Sequence, residues 1–242
     1  METNEQNKIL PTFSGSFSNG WKVLNKYFLA LLLVVIALGV LVAPFQAGKI
    51  NINPGCMHWN NGHFDFFNAG LAALGMFALV IGIFAVAYSL LVVPIFEFGA
   101  NLIFVHAVRD IKPQFETFIK GFKENYLHIV LANLLTIALV MMGFIFLIIP
   151  GIIIACRLAF VSYLVMDKKM DPIQAVEESW KLTKGHAWTI FFMAIVSFFI
   201  CLLGLIMCFV GIFPAMIWVK SSFASLYEAV LVEKNAQSVL TE

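Results

Sequence analysis

Charge is scarce in this chain. Asp, Glu, Lys and Arg together make 12% of 242 residues, about half the share found in an ordinary soluble domain. The net charge of +1 offers no electrostatic footprint for nucleic acid. Cysteine is scarce too, at four residues. Cys156, Cys201 and Cys208 fall inside apolar runs and read as small apolar filler, and only Cys56 lies in a polar stretch, which excludes a disulfide framework. Enzyme signatures are missing: there is no His-Glu-x-x-His, no Gly-x-Ser-x-Gly, no phosphate loop and no dinucleotide fingerprint. No two acidic residues share one face of an apolar segment, as an acid–base pair on a single membrane helix would require. The chain is expected to be no enzyme and to need no cofactor.

What is abundant is apolar surface. Apolar residues make 61% of the chain, 25 of them Phe, and the mean hydropathy is +0.93. A water-soluble fold would lack the polar residues to cover such a core, whereas helices in lipid satisfy their own backbone and turn apolar side chains outward. Crossing the hydrocarbon takes about 20 apolar residues. Segments 21–43, 66–93, 126–149, 151–166, 186–212 and 214–232 qualify or come close. The expected fold is all-α: one integral membrane domain of about six transmembrane helices behind a polar N-terminus, 1–20. The first apolar run follows Lys22 and Lys26 as a signal peptide would, but it ends in Ala43-Pro44-Phe45-Gln46-Ala47 without a small-x-small cleavage site, so it reads as a retained helix. Pro150-Gly151 and the 211–214 stretch make tight connections, so helices three/four and five/six form hairpins.

Lys and Arg orient the helices. With the N-terminus inside, Lys8, Lys22, Lys26, Arg109, Lys112, Lys120, Lys123, Lys168, Lys169, Lys181, Lys184 and Lys234 are cytoplasmic, and Lys49 alone is outside. Both termini are expected in the cytosol. A weak repeat accompanies the hairpins: each is led in by a small residue, an aromatic and a lysine, as Gly20-Trp21-Lys22, Gly121-Phe122-Lys123 and Ser179-Trp180-Lys181. Residues 113–122 carry Phe115, Phe118, Ile119 and Phe122 on one stripe. Residues 172–184 follow Asp171 as cap, with Pro172 opening the helix and Glu177 and Lys181 four apart. Both stretches suit helices lying in the headgroup plane. The last two hairpins agree further, with Arg157 and Lys220 shortly after Pro150 and Pro214, and with Tyr163 and Tyr227 thirteen residues after them. Gly75, Ala78, Gly82, Ala85 and Ser89 form a small-residue stripe that would make helix two the central packing element.

Leu147-Ile148-Ile149-Pro150-Gly151-Ile152, with Arg157 and Tyr163 after it, and the stretch from Asp171-Pro172 through Ser179-Trp180-Lys181-Leu182-Thr183-Lys184-Gly185-His186 resemble a known family. So does Phe115-Glu116-Thr117-Phe118-Ile119-Lys120-Gly121-Phe122-Lys123. It comprises bacterial polytopic membrane proteins of unassigned activity, related to the membrane domain of some glycerophosphodiester phosphodiesterases. The resemblance, which runs from about Pro94 onward, implies a bacterial inner-membrane protein of about six helices. It carries no functional residues over, and no phosphodiesterase domain accompanies it.

Charges inside apolar segments are the first candidates for function, since each costs a few kcal/mol unless solvated or paired. Arg157 and Lys220 lie about 9–11 Å along their helices from the hairpin turns, at about 1.5 Å per residue. Together they could hold an anionic lipid head in the outer leaflet, or snorkel to the headgroups with no special ligand. Glu97 and Glu228 lie near the cytoplasmic ends of helices two and six, and Glu97 reads as too shallow for a proton-coupled transporter. His106, His128 and His186 fall near the inner face, where water satisfies them. The outer loop carries Cys56, His58, His63 and Asp65, a possible periplasmic metal set in a spacing that matches no established motif. The leading expectation is a membrane protein that binds or organises lipids, anionic ones included, or partner proteins, another copy of itself among them. A small transporter or lipid flippase is the alternative, and metal handling through the outer loop a weaker one.

Overall fold

A computed structural model describes residues 11–46, 80–113, 126–206 and 211–241, with side chains over 11–40, 80–113, 126–206 and 211–236. Among these residues there are helices and no strands. In chain order they are α1 (Phe13–Gln46), α2 (80–91), α3 (Val93–Val108), α4 (Tyr126–Phe146), α5 (Ile148–Arg157), α6 (Val161–Asp167), α7 (Pro172–Leu182), α8 (Ala187–Ile206) and α9 (Ile212–Thr241). Six stretches are long and apolar enough to cross a membrane: Phe13–Val40, Val80–Val108, Tyr126–Phe146, Ile148–Asp167, Ala187–Ile206 and Ile212–Ala236. The protein is an all-α, multi-pass membrane protein.

Helices α3, α5 and α9 open on one device. Pro94, Pro150 and Pro214 each stand in the first turn, where a missing N–H costs no hydrogen bond. Their polar residues then fall at comparable heights: Asn101 and Arg157 seven residues on, Lys220 six. Tyr163 and Tyr227, thirteen residues after their prolines, stack on one another with ring centroids 5.1 Å apart. The core gathers around these helices, with Phe104, Ile103, Leu164, Ile217 and Tyr227 fully buried between them and α1.

Two apolar hairpins close tightly because glycine leaves room for backbone. A Cβ on Gly143 of α4 would lie 2.9 Å from the Gly151 Cα, and one on Gly204 of α8 would lie 2.7 Å from the Gly211 carbonyl oxygen. Gly20 does the same for α1 and α9, where an added Cβ would stand 2.9 Å from the Ser222 backbone nitrogen.

Several expectations are corrected. Helix two does not stop before Pro94: after an interruption at Val92 the chain continues as α3 to Val108. Proline opens that helix instead of ending it, and Glu97 is the one Asp, Glu, Lys or Arg in residues 66–108. Glu97 consequently lies within the candidate span Val80–Val108 and not at a shallow end. The fourth span is broken at 158–160. There the Ser179 hydroxyl donates to the Arg157 carbonyl at 2.8 Å, while the Thr183 hydroxyl donates to the Ser179 carbonyl at 2.8 Å, and the Val161 N–H turns to Leu158 instead, at 3.2 Å. Helix α1 begins at Phe13 and kinks at Tyr27 (φ −118°, ψ 24°). Asp171 precedes α7 without a side-chain cap and holds His128 at 3.0 Å instead. Lys181 meets Glu178 at 3.6 Å and not Glu177. Residues 114–122, the greater part of the middle lead-in segment, lie outside the described residues.

The small-residue stripe is largely uncovered where it is described. A Cβ on Gly82 would touch nothing within 4 Å, Ser89 is exposed, and its hydroxyl turns back to the Val86 carbonyl at 2.8 Å. Ala85 is half-buried, and Gly75 and Ala78 lie outside the described residues. Replacing Gly20 by Val is expected to destabilise the purified protein by about 1–3 kcal/mol through overpacking. Gly82→Val should leave it unchanged, and thermal melting of both variants in one detergent checks the contrast.

Candidate functional site

The densest chemistry lies where α3 and α6 end beside the middle of α9. Arg109, just past α3, donates from Nη1 to Asp167 Oδ1 at 2.6 Å and from Nη2 to Oδ2 at 2.9 Å, a two-pronged bond. Its Nε donates to Glu228 Oε2 on α9 at 2.9 Å, and Nη2 approaches the same oxygen at 2.8 Å. Tyr227 donates its hydroxyl to Asp167 Oδ2 at 3.0 Å. The Tyr227 ring is fixed in turn by the stack on Tyr163 and by Phe160, with centroids 5.6 Å apart. One guanidinium thereby joins α3, α6 and α9.

The surroundings are part protein, part water: Arg109 is 26% exposed, Glu228 18% and Asp167 only 7%. Burial works against the guanidinium charge, but hydrogen bonds to Asp167 and Glu228 outweigh it and raise the Arg109 pKa above its ordinary value. The guanidinium stays charged at every accessible pH. Further pairs gather at the same end of the bundle, opposite the Pro150 and Pro214 turns. Lys26 meets Asp110 at 2.6 Å, and His186 meets Glu233 at 3.3 Å. His128 and His186 thus each stand beside a carboxylate, Asp171 and Glu233.

A second polar group lies inside the spans. Lys220 Nζ donates to Asn101 Oδ1 at 3.3 Å, and Asn101 Nδ2 donates to Ser162 Oγ at 3.1 Å, which again joins α9, α3 and α6. Glu97, one turn before Asn101, is the acidic group whose field reaches Lys220. Arg157 and Lys220, expected together around one anion, make their own contacts on different helices. Lys220 goes to α3, whereas the Arg157 guanidinium lies over Trp180 of α7, 5.5 Å from the ring centroid. The Arg157 Nε and Nη1 are shut off from outside and have no hydrogen-bond partner. Cys56, His58, His63 and Asp65 lie outside the described residues, and among the described residues no three metal-binding side chains cluster.

The surface toward the bilayer carries an apolar groove of about 600 Å³ between the two hairpins, lined by Phe144, Ile152, Cys156, Phe191, Phe198 and Phe223 among others. Cys156 and Cys201 are free thiols. Asp167 is the one member of the clamp that sequence reasoning passed over, since Asp167-Lys168-Lys169 reads as a loop. The available signal was that α3, α6 and α9 all end in the same direction, with an unmatched arginine on the first.

Comparison with protein-family models, curated proteins and solved structures finds no match.

Removing the clamp leaves two half-buried carboxylates facing each other. Arg109→Ala is expected to cost about 3 kcal/mol, and Tyr227→Phe, which deletes one hydrogen bond, about 1 kcal/mol. Reversible unfolding in mixed micelles measures both.

Proposed function

We propose that this chain is a non-enzymatic, multi-pass protein of a bacterial cytoplasmic membrane that binds lipid, with both termini in the cytosol. The observation that carries the reading is the groove of about 600 Å³ between the hairpins. It opens outward, its lining is almost wholly apolar, and in a bilayer the molecules facing it are acyl chains. The filled centre supports the same reading: Ile103, Phe104, Ile217 and Ala224 are fully buried beside the Lys220 group, where a translocation path would need water. The orientation rests on the lysines and arginines, twelve on the assigned inner side against Lys49 outside. The bacterial setting rests on the resemblance to the phosphodiesterase-related membrane family. The exposed face of residues 80–91 leaves room for a partner helix as well.

A small transporter remains the second reading, favoured by Glu97 and Lys220 within the spans beside the interruption at Val92. A proton-coupled flux in proteoliposomes that disappears in Glu97→Gln would put it first.

Ala155 and Ala194 line the groove and are exposed, so enlarging them fills it without straining the core. Native mass spectrometry of the detergent-purified protein should find phospholipid on the wild type and markedly less on Ala194→Phe. A wild type that carries no lipid, or a variant that carries as much, would count against lipid binding at this groove.

A further inference from the structure

We propose that Arg157, with Trp180 beside it, forms a site for a phosphoryl oxyanion, the group that an anionic phospholipid and free phosphate share. The proposal rests on the lipid-binding reading only for the lipid source of that group.

Arg157 lies in the middle of the candidate span Ile148–Asp167. A guanidinium carries five N–H donors and no acceptor, and in a membrane span each cation needs water or a partner. Arg109 has two carboxylates; Arg157 has none within ion-pair distance among the described residues. Its Nε and Nη1 are buried and unbonded, and the guanidinium lies over the Trp180 ring. An aromatic face attracts the charge but accepts almost nothing from the N–H groups in the guanidinium plane. Donors in this state cost free energy until an acceptor arrives.

The placement is built by the fold. Ser179 ties the end of α7 to the Arg157 carbonyl, which sets Trp180 against the same residue. The molecule contains its own control. In the matching lead-in segment, Gly20 packs on Ser222 and Trp21 meets Trp218 edge-on with centroids 5.1 Å apart. That uncharged pair closes the equivalent junction, so packing there does not require a cation. At the α5–α7 junction the cation is additional to what the packing needs.

The approach is open and positive. Trp180 is 45% exposed, and Lys181 and Lys184 are exposed beside it. The acidic neighbours on α7 are Glu177 and Glu178; Glu178 is held by Lys181, and neither pairs with Arg157. A phosphoryl group entering along Trp180 would meet a planar fork that matches two of its oxygens, once the guanidinium turns to present Nε or Nη1.

The test uses the full chain reconstituted in vesicles of phosphatidylcholine alone or with an equal part of phosphatidylglycerol. Phosphatidylglycerol retained through detergent extraction is counted by mass spectrometry for wild type, Arg157→Lys and Arg157→Gln. The expected result is retention about tenfold lower in Arg157→Gln, with Arg157→Lys between. In phosphatidylcholine alone, inorganic phosphate is added and melting is followed. A rise in wild type that Arg157→Gln lacks, without selective retention of phosphatidylglycerol, supports the site with free phosphate as its source. Without phosphate or anionic lipid, Arg157→Gln should melt no lower than wild type, because it loses an unsatisfied cation. Equal retention together with equal response to phosphate overturns the proposal, as does an Arg157→Gln protein that melts well below wild type without either anion. Phosphatidylcholine retention that is sensitive to Ala194→Phe would still stand in those cases, so failure here is separable from failure of the groove.

Discussion

One arginine side chain joins the ends of two helices to the middle of a third, and much of the arrangement depends on it. Lipid tails are as apolar as the helix faces they touch, so burial of Leu and Phe does little to choose which helices of a membrane bundle associate. The choice falls to close backbone contact and to polar groups that find one another. Here Gly143, Gly151, Gly204 and Gly20 supply the first. Arg109, held by Asp167 and Glu228, supplies the second. A salt bridge of this kind is weak evidence for net stability, because its desolvation offsets the attraction. Its stronger effect is on specificity: a register shift of one turn in α3, α6 or α9 would strand a charge.

The two polar levels are related. Asn101 and Arg109 lie eight residues apart on α3, and Lys220 and Glu228 eight apart on α9, so the Lys220–Asn101–Ser162 contacts repeat the three-helix junction of the clamp at mid-span. Between them lie Phe160, Tyr163 and Tyr227, whose stacked and edge-on rings separate the buried ammonium from the charged end. Arg157 stands outside both junctions. Its carbonyl is used to break the fourth span and dock α7, while its guanidinium is left over, and that surplus separates a binding group from a structural one.

Much of this fold was legible from residue order. Hydropathy placed six spans, Pro150 and Pro214 placed two hairpin turns, and Tyr163 and Tyr227, matched only by their distance from those prolines, turned out to touch. The sequence misled where one residue supports two structures. Pro94 stops a helix or opens one, and it opens α3 here, which carries Glu97 into the membrane span. Small residues permit close packing without requiring it, so Gly82 and Ser89 face outward while Gly204, outside any stripe, sits against backbone. Arg157 and Lys220 were singled out as cations inside apolar segments, but periodicity along each helix gives no information on which neighbour a side chain meets. Asp167 was missed because an acid beside two lysines looks solvated until α3 is seen to end next to it.

The most direct measurement is a double-mutant cycle on the unfolding free energy of Arg109→Leu, Asp167→Leu and the pair together. If the two-pronged bond joins α3 to α6, the double variant should be less destabilised than the sum of the singles by about 1–3 kcal/mol. Additive losses would mean that the two side chains do not act on each other, and the three-helix clamp would have to be abandoned.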